Sequence, residues 1–179
     1  MQTINFAQPK TPVTFLISTI MIIISSLFIF RQSVYLPCGS DLLSTFSRNF
    51  IHVDPLHLII NLYGFYQLAN LEFSLGSIHY LSLIFLLAII QTILEHLYQT
   101  ITPFPTNCSI GFSGILFGIL TFIFFKKAIN PKLLLALFVS ILSSSATDPQ
   151  ISLIGHLFGL IAGLLVVVAV RIIGWNYSI

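Results

Sequence analysis

The sequence predicts an all-α, polytopic membrane protein with six spans. Three observations predict it. Of 179 residues, 56% are hydrophobic and only 7% are charged, against about 25% charged in a typical soluble domain. The mean hydropathy is +1.01, and a soluble fold so poor in charge would expose large apolar patches and aggregate. The apolar residues also fall into runs long enough to cross or nearly cross a bilayer, separated by proline-, glycine- and aspartate-containing breaks. A formal net charge of +2 carries no basic patch of the kind nucleic acid requires. No long repeat, low-complexity tract or second domain interrupts the chain, so residues 1–179 are expected to form one membrane domain.

The first span is read over 13–30. Its length suits a crossing, and no small-residue cleavage site follows it, so it reads as a retained helix. About a dozen residues precede it, which leaves little room for an organellar address. Pro37-Cys38-Gly39 ends this first excursion. The second span, 57–75, is polar for a membrane helix, holding Asn61, Gln67, Asn70 and Glu72. Asp54 is placed to cap it and Pro55 suits its first turn. The third span is read over 78–97. Pro103 and Pro105 break the chain before the fourth, 111–125. Asn130-Pro131 separates it from the fifth, 133–145. Asp148-Pro149 repeats the cap pattern before the sixth, 151–173. The fourth and fifth are short for a full crossing, which is tolerated where the preceding loop lies in protein or a wet cavity. Cys38 and Cys108 fall in loops, either as free thiols or as a pair in an oxidising compartment.

Basic residues set the expected orientation. With the N-terminus inside, Lys10, Lys126, Lys127, Lys132 and Arg171 are cytosolic, and only Arg31 and Arg48 are outside. Six spans then return the C-terminus to the cytosol. His57 and Asn61 open the second span, Ser113 the fourth and His156 the sixth. All three helices start from the outer face, so these four polar residues are expected at one depth on the non-cytosolic side.

Each of them has a chemical reading and a packing reading. Ser113 sits between Gly111 and Gly114 at a helix start, where unpaired N–H groups and the helix dipole favour a developing oxyanion. It equally suits helix packing, since Gly114 and Gly118 make a small-residue pair four apart. His156 borders a ladder of Gly155, Gly159 and Gly163, a face that calls for a close neighbour. Docking that ladder on Gly114 and Gly118 would bring His156 toward Ser113. Alternatively the imidazole bonds a backbone carbonyl. Phe117, one turn below Ser113, is placed to pack on the ring. His57 and Asn61 are four apart and share a face, so either could donate to an oxyanion or simply face headgroups. No aspartate or glutamate lies in a span near Ser113 or His156, which points to a Ser-His dyad rather than a triad. A metal site at His52, His57 and His156 is disfavoured because no His-Glu-x-x-His pattern or acidic ligand accompanies it. No cofactor is implied.

As a set, these residues resemble the rhomboid family of intramembrane serine proteases. The Gly-x-Ser-Gly motif matches Gly111-Phe112-Ser113-Gly114. The histidine helix matches His156, Gly159 and Gly163. His52, His57 and Asn61 match the His-x4-His-x3-Asn element. Glu72, Leu75 and Gly76 match the glutamate and Leu-Gly at the inner end of the second helix, and Arg48 matches an upstream arginine. Ser47 stands where the family often has tryptophan, Phe117 where it often has tyrosine, and Gly155 where it usually has alanine. The short loop from Arg31 to His52 leaves little room for a membrane-embedded hairpin.

The resemblance implies a six-helix bundle with Ser113 as nucleophile and His156 as general base. It implies an oxyanion site from His57, Asn61 and the Ser113 N–H, and a structural role for Glu72. Substrates would be single-span membrane proteins in the lipid bilayer, cut near the outer boundary. The alternative is a non-catalytic relative that binds transmembrane helices as a chaperone or retention factor.

Overall fold

A computed structural model describes residues 11–30, 41–102, 109–126 and 153–174, and its described residues form seven helices. They are α1 Pro12–Phe30, α2 Leu42–Arg48, α3 Pro55–Gln67, α4 Ala69–Leu75, α5 Ser77–Ile101, α6 Ser113–Lys126 and α7 Leu153–Ile172. By length and composition, α1, α5 and α7 can each cross a membrane, and α6 is a shorter apolar helix. The architecture is a polytopic helical bundle, as the composition predicts. The expected fifth span at 133–145, both cysteines, the first residues of the sixth span and the Asp148-Pro149 cap lie outside the described residues.

The elements differ from expectation in three places. The second span is two helices, α3 and α4, joined at Leu68, whose φ of −90° and ψ of −1° leave the helical ladder and whose N–H is shared among the carbonyls of Gly64, Phe65 and Tyr66. Hydropathy does not single out the joint, because Gln67 and Asn70 beside it are no more polar than Asn61 and Glu72 elsewhere in the span. The third span is longer than 78–97, running through Ile101 as α5. The short helix α2 occupies the loop before His52, started by Asp41, whose carboxylate accepts the Ser44 N–H at 2.9 Å. Seven residues are too few for a periodic signal. The Asp54 cap forms as the sequence suggests: its side chain accepts the His57 N–H at 2.7 Å, and Pro55 occupies the first turn.

Packing orders the bundle. Glu72, in the first turn of α4, is fully buried and receives the N–H groups of Val13 and Thr14, the Thr14 hydroxyl and the Ser77 hydroxyl, each at 2.8 Å. One carboxylate therefore caps the start of α1 and ties it to α4 and α5, where the N-terminal helix dipole favours a negative charge. At the opposite end of α1, Ser25 meets His52, just before α3. So α1 runs antiparallel to α3 and α4. On the same side as Ser25, Arg48 of α2 forms a buried ion pair with Glu95 of α5 at 3.1 Å.

The closest contact in the bundle is between α6 and α7, which run parallel. A methyl group built on Gly159 would overlap the carbonyl of Gly114 and stand 2.9 Å from its Cα. One turn on, a methyl on Gly163 would meet the Gly118 carbonyl and Thr121 Cβ. The four glycines thus form a two-rung seam in register, as the ladder predicts. At the far end of the seam, the Arg171 guanidinium donates to the Phe125 carbonyl at 3.0 Å.

Gly159→Ala should lower the thermal midpoint in detergent, because the methyl has no space without parting the helices, an overpacking cost of about 1–3 kcal/mol. An unchanged midpoint would contradict the seam.

Candidate active site

Four elements converge at the end of the bundle where α3, α6 and α7 begin. The chain reaches α6 through Ser109-Ile110-Gly111-Phe112. Gly111 has φ +107°, a conformation side chains rarely adopt. A Cβ there would also lie 2.7 Å from His57 Cε1 and 2.9 Å from His57 Nε2. Two constraints therefore select glycine: the backbone turn, and the imidazole lying against its Cα. The helix proper starts at Ser113, two residues later than the sequence suggests.

Two successive backbone N–H groups entering α6 are tethered. The Gly111 N–H donates to the Arg48 carbonyl at 3.0 Å. The Phe112 N–H donates to His52 Nε2 at 3.3 Å. The Phe112 ring is fully buried, edge-on to Phe65 with centroids 4.9 Å apart and tilted on Phe50 at 5.7 Å. Ser113 is thus delivered from a segment that cannot slide along the bundle.

The seam then sets the partner. His156 lies one turn before Gly159 and is only 3% exposed. Its Nε2 stands 2.9 Å from Ser113 Oγ. The Phe117 ring packs on the imidazole with centroids 4.6 Å apart, tilted by 55°. If Nε2 accepts the serine proton, Nδ1 must carry the other ring proton. Among the described residues, Nδ1 has no hydrogen-bond partner. The pair can therefore do what an activated nucleophile needs: hold a hydroxyl against a neutral base, away from bulk water.

The residues expected to donate to an oxyanion are nearby but not equivalent. His57 lies on Gly111. Its ring meets that of His52 edge-on, with centroids 5.0 Å apart. Asn61 is buried, and its amide nitrogen donates to the His57 carbonyl at 2.9 Å. That bond leaves one amide hydrogen for another acceptor.

The sequence marks His52 only as a disfavoured metal ligand and a motif position. Here it is a strut. Its N–H donates to Ser25 Oγ at 3.0 Å, its Nδ1 lies 3.2 Å from the same oxygen, and its Nε2 takes the Phe112 N–H. An acceptor Nε2 requires the neutral Nδ1–H tautomer. Burial, followed by the neighbouring His57, pushes its pKa down from the ordinary 6.5 to about 3, against a smaller opposing pull from Asn61. The ring therefore stays neutral across the physiological range.

The linked stability has a definite sign. The unfolded chain takes up a proton near 6.5 while the folded chain does not, so stability from His52 is present above that pH and is lost as pH falls toward 3. The thermal midpoint in detergent should fall between pH 6.5 and pH 4, and His52→Gln should flatten that fall while starting lower. An equal slope in the variant would contradict the strut.

The family model described as "Rhomboid domain" matches residues 39–172. A relative from Acanthamoeba polyphaga mimivirus, named as a "putative rhomboid protein", is 28% identical over 156 residues, covering 87% of this chain and 89% of its own. The family match begins just before α2 and ends at the last residue of α7, taking in the serine turn, the glycine seam and the histidine helix, and on that match the chain belongs to the rhomboid family.

Proposed function

We propose that the protein is an intramembrane serine endopeptidase working through a Ser113–His156 dyad. The observation that carries this reading is the 2.9 Å contact between Ser113 Oγ and His156 Nε2. In the first step Ser113 Oγ attacks the scissile carbonyl carbon and its proton passes to His156 Nε2. The carbonyl oxygen becomes an oxyanion. The Ser113 N–H at the helix start, the remaining amide hydrogen of Asn61 and the His57 ring are the candidate donors to it. Protonated His156 then gives its proton to the departing amine, leaving an acyl-serine. Water enters and attacks the acyl carbon while yielding a proton to the same nitrogen; that proton then passes to Ser113 Oγ as the acyl–oxygen bond breaks and the new carboxyl product leaves.

Family membership supports membrane-protein substrates within a lipid bilayer. The finer reading is that they are single-span proteins cut near the non-cytosolic boundary, with both termini of this chain in the cytosol. The common end shared by the starts of α3, α6 and α7 supports one depth for the site. The charge balance of the loops supports the side. A helical peptide bond is shielded by its own hydrogen bonding, so a substrate helix must unwind at the cut. Small and helix-breaking residues around the scissile bond would favour that.

The test is cleavage of a single-span reporter in liposomes, with a small residue and a helix breaker at its outer boundary. The wild type should cut it there, and Ser113→Ala or His156→Ala should slow cutting by about a thousandfold or more. Full cleavage by either variant would remove the dyad. Reporter bound but intact in the presence of folded wild type would instead indicate a helix-binding protein.

A further inference from the structure

The helix α5 carries three buried polar side chains toward the site end: Gln91, Thr92 and Glu95. Two are accounted for by α2. Thr92 Oγ1 lies 3.4 Å from the Asn49 amide nitrogen, and Glu95 pairs with Arg48. Gln91 turns the other way. Its amide packs on Gly114, where an added Cβ would collide with Nε2 and stand 2.6 Å from Oε1. Gln91 is 2% exposed, and its Oε1 has no hydrogen-bond partner among the described residues. Leaving a buried amide oxygen unsatisfied is costly, and a leucine would fill the space without that cost.

The same Gly114 Cα is approached from the other side by Gly159, one turn after His156. Gln91 and His156 therefore flank one glycine from α5 and α7. Among the described residues each holds a buried atom with no hydrogen-bond partner, and the two are chemically complementary. Gln91 Oε1 is an acceptor. His156 Nδ1 is a donor whenever Nε2 faces the serine proton. Among the described residues no group bonds Nδ1 and so fixes the ring tautomer, a role that a neutral side-chain amide can fill for a catalytic histidine.

Resting on the proposed dyad, we propose that Gln91 is a positioning residue whose amide oxygen accepts the His156 Nδ1–H through one intervening water. The link holds the imidazole in the tautomer that leaves Nε2 free for the Ser113 proton. It also stabilises the imidazolium formed in the transition state. Gln91 touches neither substrate nor the reacting atoms. The ionisable group of α3 beside the site is His57, which lies against Gly111; Ser113 and Phe117 of α6 contact the His156 ring itself, and none of these changes in a Gln91 variant.

The experiment compares wild type, Gln91→Leu and Gln91→Glu, full-length and in detergent, with two readouts. The first is the rate of serine modification by a fluorophosphonate against pH. Gln91→Leu should react roughly tenfold more slowly, a part of the general-base contribution, with its melting midpoint retained or raised. Gln91→Glu should restore the rate and move the acid limb of the profile to higher pH, because a carboxylate favours the imidazolium. The second readout is the ring-nitrogen NMR signature of His156, which needs no activity. Nδ1 should carry the proton in wild type and lose its hydrogen-bonded shift in Gln91→Leu. Should the wild type fail to react at all, the dyad fails, and the NMR comparison still decides the Gln91 contact. Unchanged rate, acid limb and Nδ1 signature in Gln91→Leu would overturn the proposal and leave Gln91 as packing against Gly114.

Discussion

The approach of α6 to α7 through glycine is the constraint on which the rest of the site depends. With Gly114 against Gly159 and Gly118 near Gly163, the two backbones touch, and no side chain intervenes to cushion or tilt them. Contact between backbones is a stiff way to set distance, because it has no rotamers. Ser113 precedes the first glycine of one helix by one residue, and His156 precedes the facing glycine of the other by three. Once the seam is closed, the hydroxyl and the imidazole have few positions left, and the observed one is a hydrogen bond. Misplacing reacting groups by about 1 Å can cost a hundredfold in rate, so with the proposed dyad stiffness at this contact would serve chemistry as well as stability.

In a bilayer, apolar burial does little to hold helices together, since lipid is as apolar as leucine. The polar bonds are placed where they brace the seam. At the site end, Arg48 is the hub. Its guanidinium pairs with Glu95 of α5, and its carbonyl takes the Gly111 N–H. His52 ties α1 to Phe112. At the other end, Glu72 gathers four donors from α1 and the start of α5. The two groups of bonds fasten α1 at both ends, so α1 acts as a stay alongside the site although it supplies no group to the dyad.

Much of this was legible in the sequence, for identifiable reasons. Membrane helices announce themselves by composition, and glycines four apart on an apolar face announce close packing. Asp54-Pro55 is a local capping signal and needs no tertiary knowledge. Ser113, His156 and Phe117 could be placed together because seam register and helix direction were both readable. What was not legible depended on partners far along the chain. Nothing local marks Leu68 as a joint or 42–48 as a helix. The Arg48–Glu95 pair joins residues 47 apart, and Gln91 looks like an ordinary polar residue until Gly114 is seen beneath its amide. A polar residue inside an apolar run was the available signal for both Gln91 and Glu95, and it identifies the residue without naming its partner.

On the proposed mechanism, the glycine seam makes Ser113 a nucleophile by delivering His156 to it. The most direct measurement is mass-spectrometric mapping of the adduct formed when the folded, full-length protein reacts with a fluorophosphonate. A single adduct on Ser113, absent from His156→Ala, is the predicted result. An adduct on another serine, or an adduct on Ser113 that forms at the same rate without His156, would contradict the account.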